Sequence, residues 1–419
     1  MNQRNVVCGV DIHKRFLIAT ILTSTGERIT ERFSHDLDSL FRFKEWLISH
    51  RCERVAVEST GVYWYPVYHI LEGTIEVTVA NAYHIKHIPG RKTDILDSEW
   101  IAQLALSGLI EPSRIFPQND RELRDLTRHR ESLVKARTDQ KNRVHRVLDS
   151  ACIKLSSVLS NLFGKAGMVV IKGLLNGEDI DKILEKNRSK ILKRKEMELR
   201  EAIKSELSPA QIFVIGQGLE IIDEYDRQIM ELDATLVDKM KDKMEDLKIL
   251  MSVPGIQFIG AATLIAEIGN YSDFSTPDKL ASWCGITPSV YQSADKLVTG
   301  RITKQGSKHI RWILVQIAQA ASNTRDTLLK KFFLRIKYRA GHAKAVVALA
   351  RKILCIIWHL LMKRELYTEE DASTRKNNRI PLVHIGDMRI RNSIDILVKA
   401  GYTVRKTDKV PDLKGLLGG

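Results

Sequence analysis

Residues 6–33, VVCGVDIHKRFLIATILTSTGERITERF, decide the fold of the first part of the chain. Residues 6–10 form a short apolar run that ends at an aspartate, and residues 16–22 form a second run. A turn at Gly26 separates them from a third candidate strand at residues 28–33. The stretch therefore predicts three consecutive strands, before any helix is reached.

The next eighty residues alternate between helical and strand patterns. Residues 37–50 place apolar side chains at helical spacing, and residues 54–57 and 75–80 are apolar runs of strand length. Thr93 can cap a helix that runs from residue 94 to about residue 106. Three strands followed by strand–helix alternation predict an α/β domain with a mixed sheet flanked by helices.

The remainder of the chain reads as helical. Residues 121–155 form a long basic amphipathic pattern, residues 176–207 are rich in Lys and Glu, and residues 212–247 form a further helix, which together predict a helical stalk or coiled coil. A separate, mostly α domain begins at residue 252. The predicted domains are 1–115 (α/β), 116–248 (stalk), 249–367 (mostly α) and 368–419 (a tail of unassigned role).

Charge gives the first indication of function. The net charge is +15, and residues 301–364 hold fifteen Lys or Arg and one acid, which is +14 of that total. Such concentration favours a polyanionic partner. No run reaches the roughly 18 uninterrupted apolar residues of a membrane helix, and the N-terminus lacks the pattern of a signal peptide. Five dispersed cysteines fit a reduced protein, so we expect a cytoplasmic, nucleic-acid-associated protein without membrane contact.

Four carboxylates form a candidate metal site. Asp11 and Glu58 each follow a predicted strand, and the carboxyl ends of parallel strands meet at one edge of a sheet. Asp94 and Asp97, three apart in a predicted helix, share one helix face. Oxygen-only ligands suit Mg²⁺ or Mn²⁺, which support phosphoryl transfer. Taken singly, Asp11 also suits a turn and Asp97 the first turn of a helix.

The stretches GVDIHK, VAVESTGVYWYPV and RKTDILDSEWIAQL resemble the three acidic motifs of the IS110 family of insertion-sequence transposases. The resemblance implies an N-terminal RuvC-like domain of ribonuclease-H type. It places the family's Asp-Glu-Asp-Asp catalytic tetrad on Asp11, Glu58, Asp94 and Asp97, with Mg²⁺ or Mn²⁺ as cofactor. Lys92 stands where relatives carry a basic residue.

Two C-terminal stretches extend the resemblance. VPGIQFIGAATLIAEIG, residues 253–269, is similar to a helix–hairpin–helix, whose turn can offer backbone N–H groups to phosphates, although a plain αα-hairpin of the core has the same pattern. The motif GITP…S…K…GRITKQGSKHIR places the family's nucleophilic serine on Ser293. Relatives often show consecutive serines followed by glycines there, so Ser289 remains the alternative. Candidate phosphate contacts around the serine are Lys296, Arg301, Lys304, Lys308 and Arg311.

The resemblance implies a site-specific DNA recombinase that excises and inserts an element through a circular intermediate, acting as a dimer or tetramer. Some members are guided by a structured noncoding RNA, in which case base pairing selects the sequence. Three alternatives stay open: a DNA invertase, a metal-dependent nuclease that uses water instead of serine, and a non-catalytic DNA- or RNA-binding protein. In a bacterium each would act in the cytoplasm, at the nucleoid.

Overall fold

The computed structural model of the protein describes residues 6–59, 61–80, 97–187, 189–293, 296–325 and 327–369, with the backbone alone at 291–293 and 296–299. Two units divide between Pro117 and Gln118. The predicted tail, apart from its first two residues, lies outside the described residues.

The first unit is built on a five-stranded mixed sheet, as the sequence predicts. Its strands are β1 (Val6–Ile12), β2 (Phe16–Thr23), β3 (Arg28–Ser34), β4 (Arg54–Glu58) and β5 (Glu76–Ala80). Their order is β3-β2-β1-β4-β5. Strands β1, β2 and β3 pair antiparallel, whereas β1, β4 and β5 run parallel. The parallel strands therefore bring their carboxyl ends to one edge.

Helices cover both faces of this sheet. They are α1 (Leu37–Ser49), α2 (Trp64–Leu71) and α3 (Asp97–Leu106). Val10 of β1 and its alternate neighbours share one core with Phe43 of α1 and Leu71 of α2. Val7 and Ala56, on the opposite face, pack against α3. This alternation sorts the side chains of each strand between the two layers.

A pair of long helices begins the second unit. Helix α4 (Gln118–Ser150) packs along α10 (Pro209–Lys239). Their ion pairs fix an antiparallel course, because residue numbers rise along one helix as they fall along the other: Glu122–Lys239, Arg130–Asp233 and Arg137–Asp226. The predicted stalk is thus an antiparallel helix pair.

Five short helices follow α4 and precede α10 in the sequence. They are α5 (Leu155–Val158), α6 (Lys165–Leu175), α7 (Ile180–Lys186), α8 (Lys190–Arg194) and α9 (Glu196–Ala202). Residues 176–207 were predicted to continue the stalk, and this is wrong. Their apolar side chains, Ile183, Leu192 and Leu199, turn into a compact core with Val144 and Leu219 of the long helices. They lack the continuous apolar stripe that a coiled-coil partner requires.

The C-terminal part of the second unit is mostly helical, as predicted. Its elements are α11 (Met244–Met251), α12 (Phe258–Ile268), α13 (Pro277–Trp283), β6 (Pro288–Ser293), β7 (Lys296–Ile302), α14 (Lys308–Asn323), α15 (Leu328–Ala340) and α16 (His342–Lys363). Among the described residues, α16 alone is long and apolar enough to cross a membrane. Eight of its residues are buried against the other helices, which is the arrangement of a core helix.

Candidate active site

The carboxylates of Asp11 and Glu58 are brought together by strand register. Strands β1 and β4 pair in parallel up to Val10 and Val57, and the two acids come next on each strand. Both lie on the face of the sheet that α3 covers, because Val10 and Val57 point to the opposite core. The predicted meeting of these two acids at one sheet edge is therefore present in the fold.

Helix α3 is held close to that same face. A Cβ atom on Gly9 would lie 2.2 Å from the backbone nitrogen of Ala102 and from the backbone oxygen of Ser98. Only glycine permits such an approach of strand and helix. The hydroxyl groups of Ser98 and Thr20 form a buried hydrogen bond of 2.8 Å across the contact. Asp97, the first residue of α3, is placed at the sheet edge by these contacts.

Electrostatics link the three described acids. Partial burial raises the pKa of Asp11, and the negative charges of Asp97 and Glu58 raise it further. His13 opposes this rise through its charge and its 3.0 Å contact from Nε2 to the Asp11 carboxylate. The ionised form of Asp11 is thus disfavoured by its surroundings, and added positive charge would stabilise it.

The metal site as a whole remains a prediction. Asp94 and Lys92 lie outside the described residues. Within the described part of the chain, no group of three or more His, Cys, Asp or Glu side chains is arranged to hold a metal ion. The donor chemistry nevertheless fits Mg²⁺ or Mn²⁺, because the carboxylates supply oxygen ligands. Burial, followed by the nearby charges of Asp97 and Glu58, raises the pKa of Asp11, and a bound cation would offset these effects.

Ser293 is the last residue of β6, which pairs antiparallel with β7. It pairs with Lys296 in the last register position of the two strands. The side chains of both residues are outside the description, so their predicted roles remain predictions. Ser289, the alternative nucleophile, lies on the same strand, and its hydroxyl donates to the carbonyl of Arg301 at 3.0 Å. Alternating residues and a short polar turn were the signal for this hairpin.

The predicted phosphate contacts differ in their surroundings. Arg301, Lys304 and Lys308 are exposed. Arg311 is partly buried, and its Nη1 donates to three backbone carbonyls, those of Cys284, Gln305 and Gly306, at 3.2, 2.8 and 3.0 Å. This guanidinium therefore fixes the segment that leads from the hairpin into α14. A phosphate contact by its remaining donors stays a prediction.

Glu267 forms a buried ionic cluster that the sequence did not indicate. Its side chain is 0% exposed within α12. Arg128 of α4 donates to it at 2.7 Å, and Arg124 lies 3.4 Å away. The hydroxyl of Ser307, which caps α14, donates to the same carboxylate at 2.7 Å. Burial would raise the pKa of Glu267, but these partners outweigh it and lower the pKa below its usual value.

A second contact joins the same helices. His309 of α14 lies 2.6 Å, from its Nδ1 atom, from the carboxylate of Glu131 on α4. Together with Glu267, it ties the start of α14 to the long helix α4. The partners are more than a hundred residues apart in the chain, so only the fold reveals them. These contacts hold the first turn of α14, which carries Lys308, in place against α4 and α12.

Comparisons with known proteins agree with this organisation. Residues 8–153 match a family model described as a transposase, the DEDD transposase of IS110. Residues 247–334 match a second model, described as the transposase IS116/IS110/IS902 family. The first range contains the four predicted carboxylates, and the second contains both candidate serines and the five basic residues.

Several curated proteins are similar to this chain. An IS116 insertion-element protein of Streptomyces clavuligerus, described as an uncharacterized 44.8 kDa protein, is 22% identical over 72% of this chain and 82% of its own length. The IS1111A transposase of Coxiella burnetii is 32% identical over 29% of this chain and 35% of its own length. A pilin gene-inverting protein of Moraxella bovis is 26% identical over 41% of this chain and 55% of its own length.

These matches define the protein as a transposase, a class of enzyme that acts on DNA. It belongs to the IS110 family of insertion-sequence transposases, and the two family matches together cover more than half of the chain.

Proposed function

We propose that the protein is a Mg²⁺- or Mn²⁺-dependent DNA recombinase of the bacterial cytoplasm that excises and inserts its element through a serine nucleophile. The observation that carries the proposal is the sheet edge. Asp11 and Glu58 follow the last paired residues of two adjacent parallel strands, and Asp97 is close enough to influence the pKa of Asp11. This arrangement supports a RuvC-like, ribonuclease-H type domain with an acidic site for phosphoryl transfer.

In the proposed reaction, Asp11, Glu58, Asp94 and Asp97 would hold the metal. When bound, the metal supplies positive charge that polarises the scissile phosphate and favours deprotonation of the nucleophile. Ser293 loses its proton and its Oγ forms a bond to phosphorus, while the bond from phosphorus to the departing sugar oxygen breaks. That oxygen leaves with a proton as a hydroxyl group. The hydroxyl of the incoming strand later attacks the phosphoserine and releases Ser293, so the joining step conserves the bond energy.

The basic residues near Ser293 in the sequence have two roles in this proposal. The exposed Arg301, Lys304 and Lys308 bind phosphates on either side of the scissile bond, together with Lys296 across from the serine. Arg311 holds the backbone that presents them, through its three carbonyl contacts. We expect Arg311→Lys to impair cleavage, because the lysine side chain ends one atom short of the Nη1 position from which Arg311 reaches the three carbonyls.

Target choice in this proposal comes from base pairing with a structured noncoding RNA of the element's flanks. The candidate helix–hairpin–helix offers little support for direct DNA reading. A Cβ atom on Gly255 would lie 2.6 Å from the backbone nitrogen of Ala321, and Val253 and Ile256 are buried, so this turn packs against α14. These contacts favour the core-hairpin interpretation of residues 253–269.

An excision assay in cells tests the proposal. A plasmid carries the gene with its native flanks, and PCR across the new junction detects circles. Wild type and Glu76→Gln, an exposed acid on β5, should give circles, whereas Asp11→Ala and Ser293→Ala should give none. The purified Asp11→Ala variant should still bind nucleic acid nearly normally, since the carboxylate that it lacks is proposed to act in strand cleavage and not in binding. Loss of binding by the folded variant would contradict that role.

The same assay separates the alternatives. Circles that persist in Ser293→Ala would refute the serine mechanism, and Ser289→Ala then decides between the second serine and water. Covalent protein–DNA species, recovered after protease-free denaturation, are expected from wild type and absent from Ser293→Ala. In a further test, the flanking sequence that encodes the RNA is deleted and the protein is supplied from a second plasmid. This deletion should abolish circles if the RNA guides the protein to its DNA sites. Junctions in inverted orientation would instead identify an invertase.

Oligomeric state is tested by complementation. The acidic residues and Ser293 belong to different units, so an active site can draw them from one copy or from two. We propose a dimer or tetramer, which light scattering measures directly. A mixture of Asp11→Ala and Ser293→Ala proteins should regain excision if a site takes its halves from different copies. A mixture as inactive as either variant would contradict that arrangement.

A further inference from the structure

Helix α15 carries a tyrosine that contacts almost nothing. Tyr338 is 96% exposed, although Leu329 and Phe333 of the same helix are buried in the core. Tyrosine rings usually bury one end and keep only the hydroxyl in water. A ring that the fold leaves uncovered, on a helix with well-packed neighbours, is available to stack on another flat group.

The ring stands on a strongly cationic face. Lys331, Arg335 and Tyr338 recur at intervals of four and three, which places them along one side of α15, and all three are exposed. Exposed Lys337 and Arg339 flank the ring along the chain. The sequence contains no Asp or Glu between residues 327 and 364, so basic residues are in large excess along α15 and α16.

Aromatic contacts orient some of these cations. The guanidinium carbon of Arg335 lies 5.4 Å from the centre of the Phe332 ring, and Lys352 of α16 lies 4.5 Å from the same ring. A cation held over an aromatic face keeps its positive charge available to solvent. The surface therefore offers both fixed positive charge and an uncovered ring.

We propose that this face, formed by Lys331, Arg335 and Tyr338 and flanked on its two sides by Lys337 and Arg339, binds unpaired nucleotides, with a base stacked on Tyr338 and phosphates on the cations. Stacking on an aromatic side chain requires a free base face, which a continuous duplex does not present. Duplex DNA would engage the cations alone. Tyr338 lies beyond both ranges that match the family models, which end at residues 153 and 334.

Binding of this kind depends neither on the acidic site nor on Ser293. It is therefore measured at equilibrium, without metal, on the full-length protein. Fluorescence anisotropy with labelled dT20, rU20 and a hairpin duplex of equal length gives three affinities. Tyr338→Ala should weaken binding to a single strand about tenfold, within the range found for loss of a stacking aromatic. Its affinity for the duplex should change less than about twofold, and Tyr338→Trp should retain single-strand binding.

Phe213→Ala is the matched control. Phe213 is 66% exposed on α10, and no Lys or Arg lies within eight residues of it in the sequence. Its replacement should leave all three affinities unchanged. Arg335→Gln should weaken the binding of all three ligands. For the single strands, it should also reduce the steepness of the plot of log affinity against log salt concentration by about 0.7.

The two single strands distinguish the source of the nucleotides. A loss confined to rU20 assigns the surface to RNA, a loss confined to dT20 assigns it to DNA, and losses on both follow from the shared chemistry. Unchanged affinity of Tyr338→Ala for both strands would overturn the proposal. Equal losses on strands and duplex would also overturn it, because they would indicate a general effect on charge or folding.

Discussion

Replacement of Glu267 by Gln tests the ionic cluster that joins α4, α12 and α14. The substitution keeps the shape of the side chain and removes its charge, so Arg128 and Arg124 lose the negative charge that they share. Breaking a fully buried ion pair by removing one partner costs roughly 3–5 kcal/mol. The arginine side chains here are 33% and 18% exposed, so water partly solvates them afterwards. We expect the free energy of unfolding to fall by about 2–3 kcal/mol.

The assay is thermal and urea unfolding followed by circular dichroism at the helical band, which reports mainly on the helix-rich second unit. A loss of this size corresponds to a fall in Tm of roughly 5–10 °C. The control is Glu224→Gln, which removes an exposed carboxylate that pairs with Arg227 on the surface of α10. That change should cost less than about 0.5 kcal/mol. Equal losses of stability in the two variants would refute the conclusion that the buried ion pairs of Glu267 stabilise the fold more than a surface ion pair does.

The pH dependence of the same variant gives an independent check. The pKa of Glu267 is lowered in the fold, so its stabilising contribution is complete above the unfolded value of about 4.3 and is lost as the pH falls through the folded pKa. The difference in stability between wild type and Glu267→Gln should be largest near neutral pH and should shrink below about pH 4. A difference that grows on acidification would contradict the sign of this shift.

Two further predictions concern glycines at close contacts. Gly9→Ala should destabilise the first unit by more than about 2 kcal/mol and abolish excision, because its Cβ meets the backbone of Ala102 and pushes α3 away from the sheet; an active, stable variant would contradict this. In α10, Gly216→Ala should stabilise by about 0.5–1 kcal/mol, since it has open space and helix propensity favours alanine. Gly218→Ala should destabilise, because its Cβ would lie 2.9 Å from the Val144 side chain, and chemical denaturation of the two variants should give opposite signs.

Local patterns in the sequence predicted the first unit well. Each of the five strands is short and bounded by turn residues, all but β3 are largely apolar, and the helix at residues 37–50 has a regular apolar stripe. Asp11 and Glu58 could be placed because each acid ends a recognisable strand, and parallel pairing then brings the ends together. In such segments, local preference and the final fold agree, so the chain can be read one element at a time.

Features that depend on distant partners could not be read in this way. Glu267 lies within an otherwise apolar helix, and nothing near it in the sequence shows that Arg124 and Arg128 will meet it. Arg311 looks like any other basic residue of its motif, yet one nitrogen of its guanidinium, Nη1, contacts three backbone carbonyls. Helices α7–α9 have the composition of a solvent-exposed coiled coil, but a few apolar residues direct them into a separate core.

The pairing of β1 with β4 has a consequence for how this protein tolerates changes in chain length. Insertion or deletion of one residue between Val6 and Asp11 would reverse the side of the sheet to which every later side chain of that strand points. Asp11 would then face the layer that contains Phe43, and Val10 would take its place at the acidic edge. Asp11 could be retained in the gene and still be lost from the site. The spacing within this strand is therefore under the same constraint as the identity of its aspartate, whereas the turn at Gly26, far from that edge, can change in length.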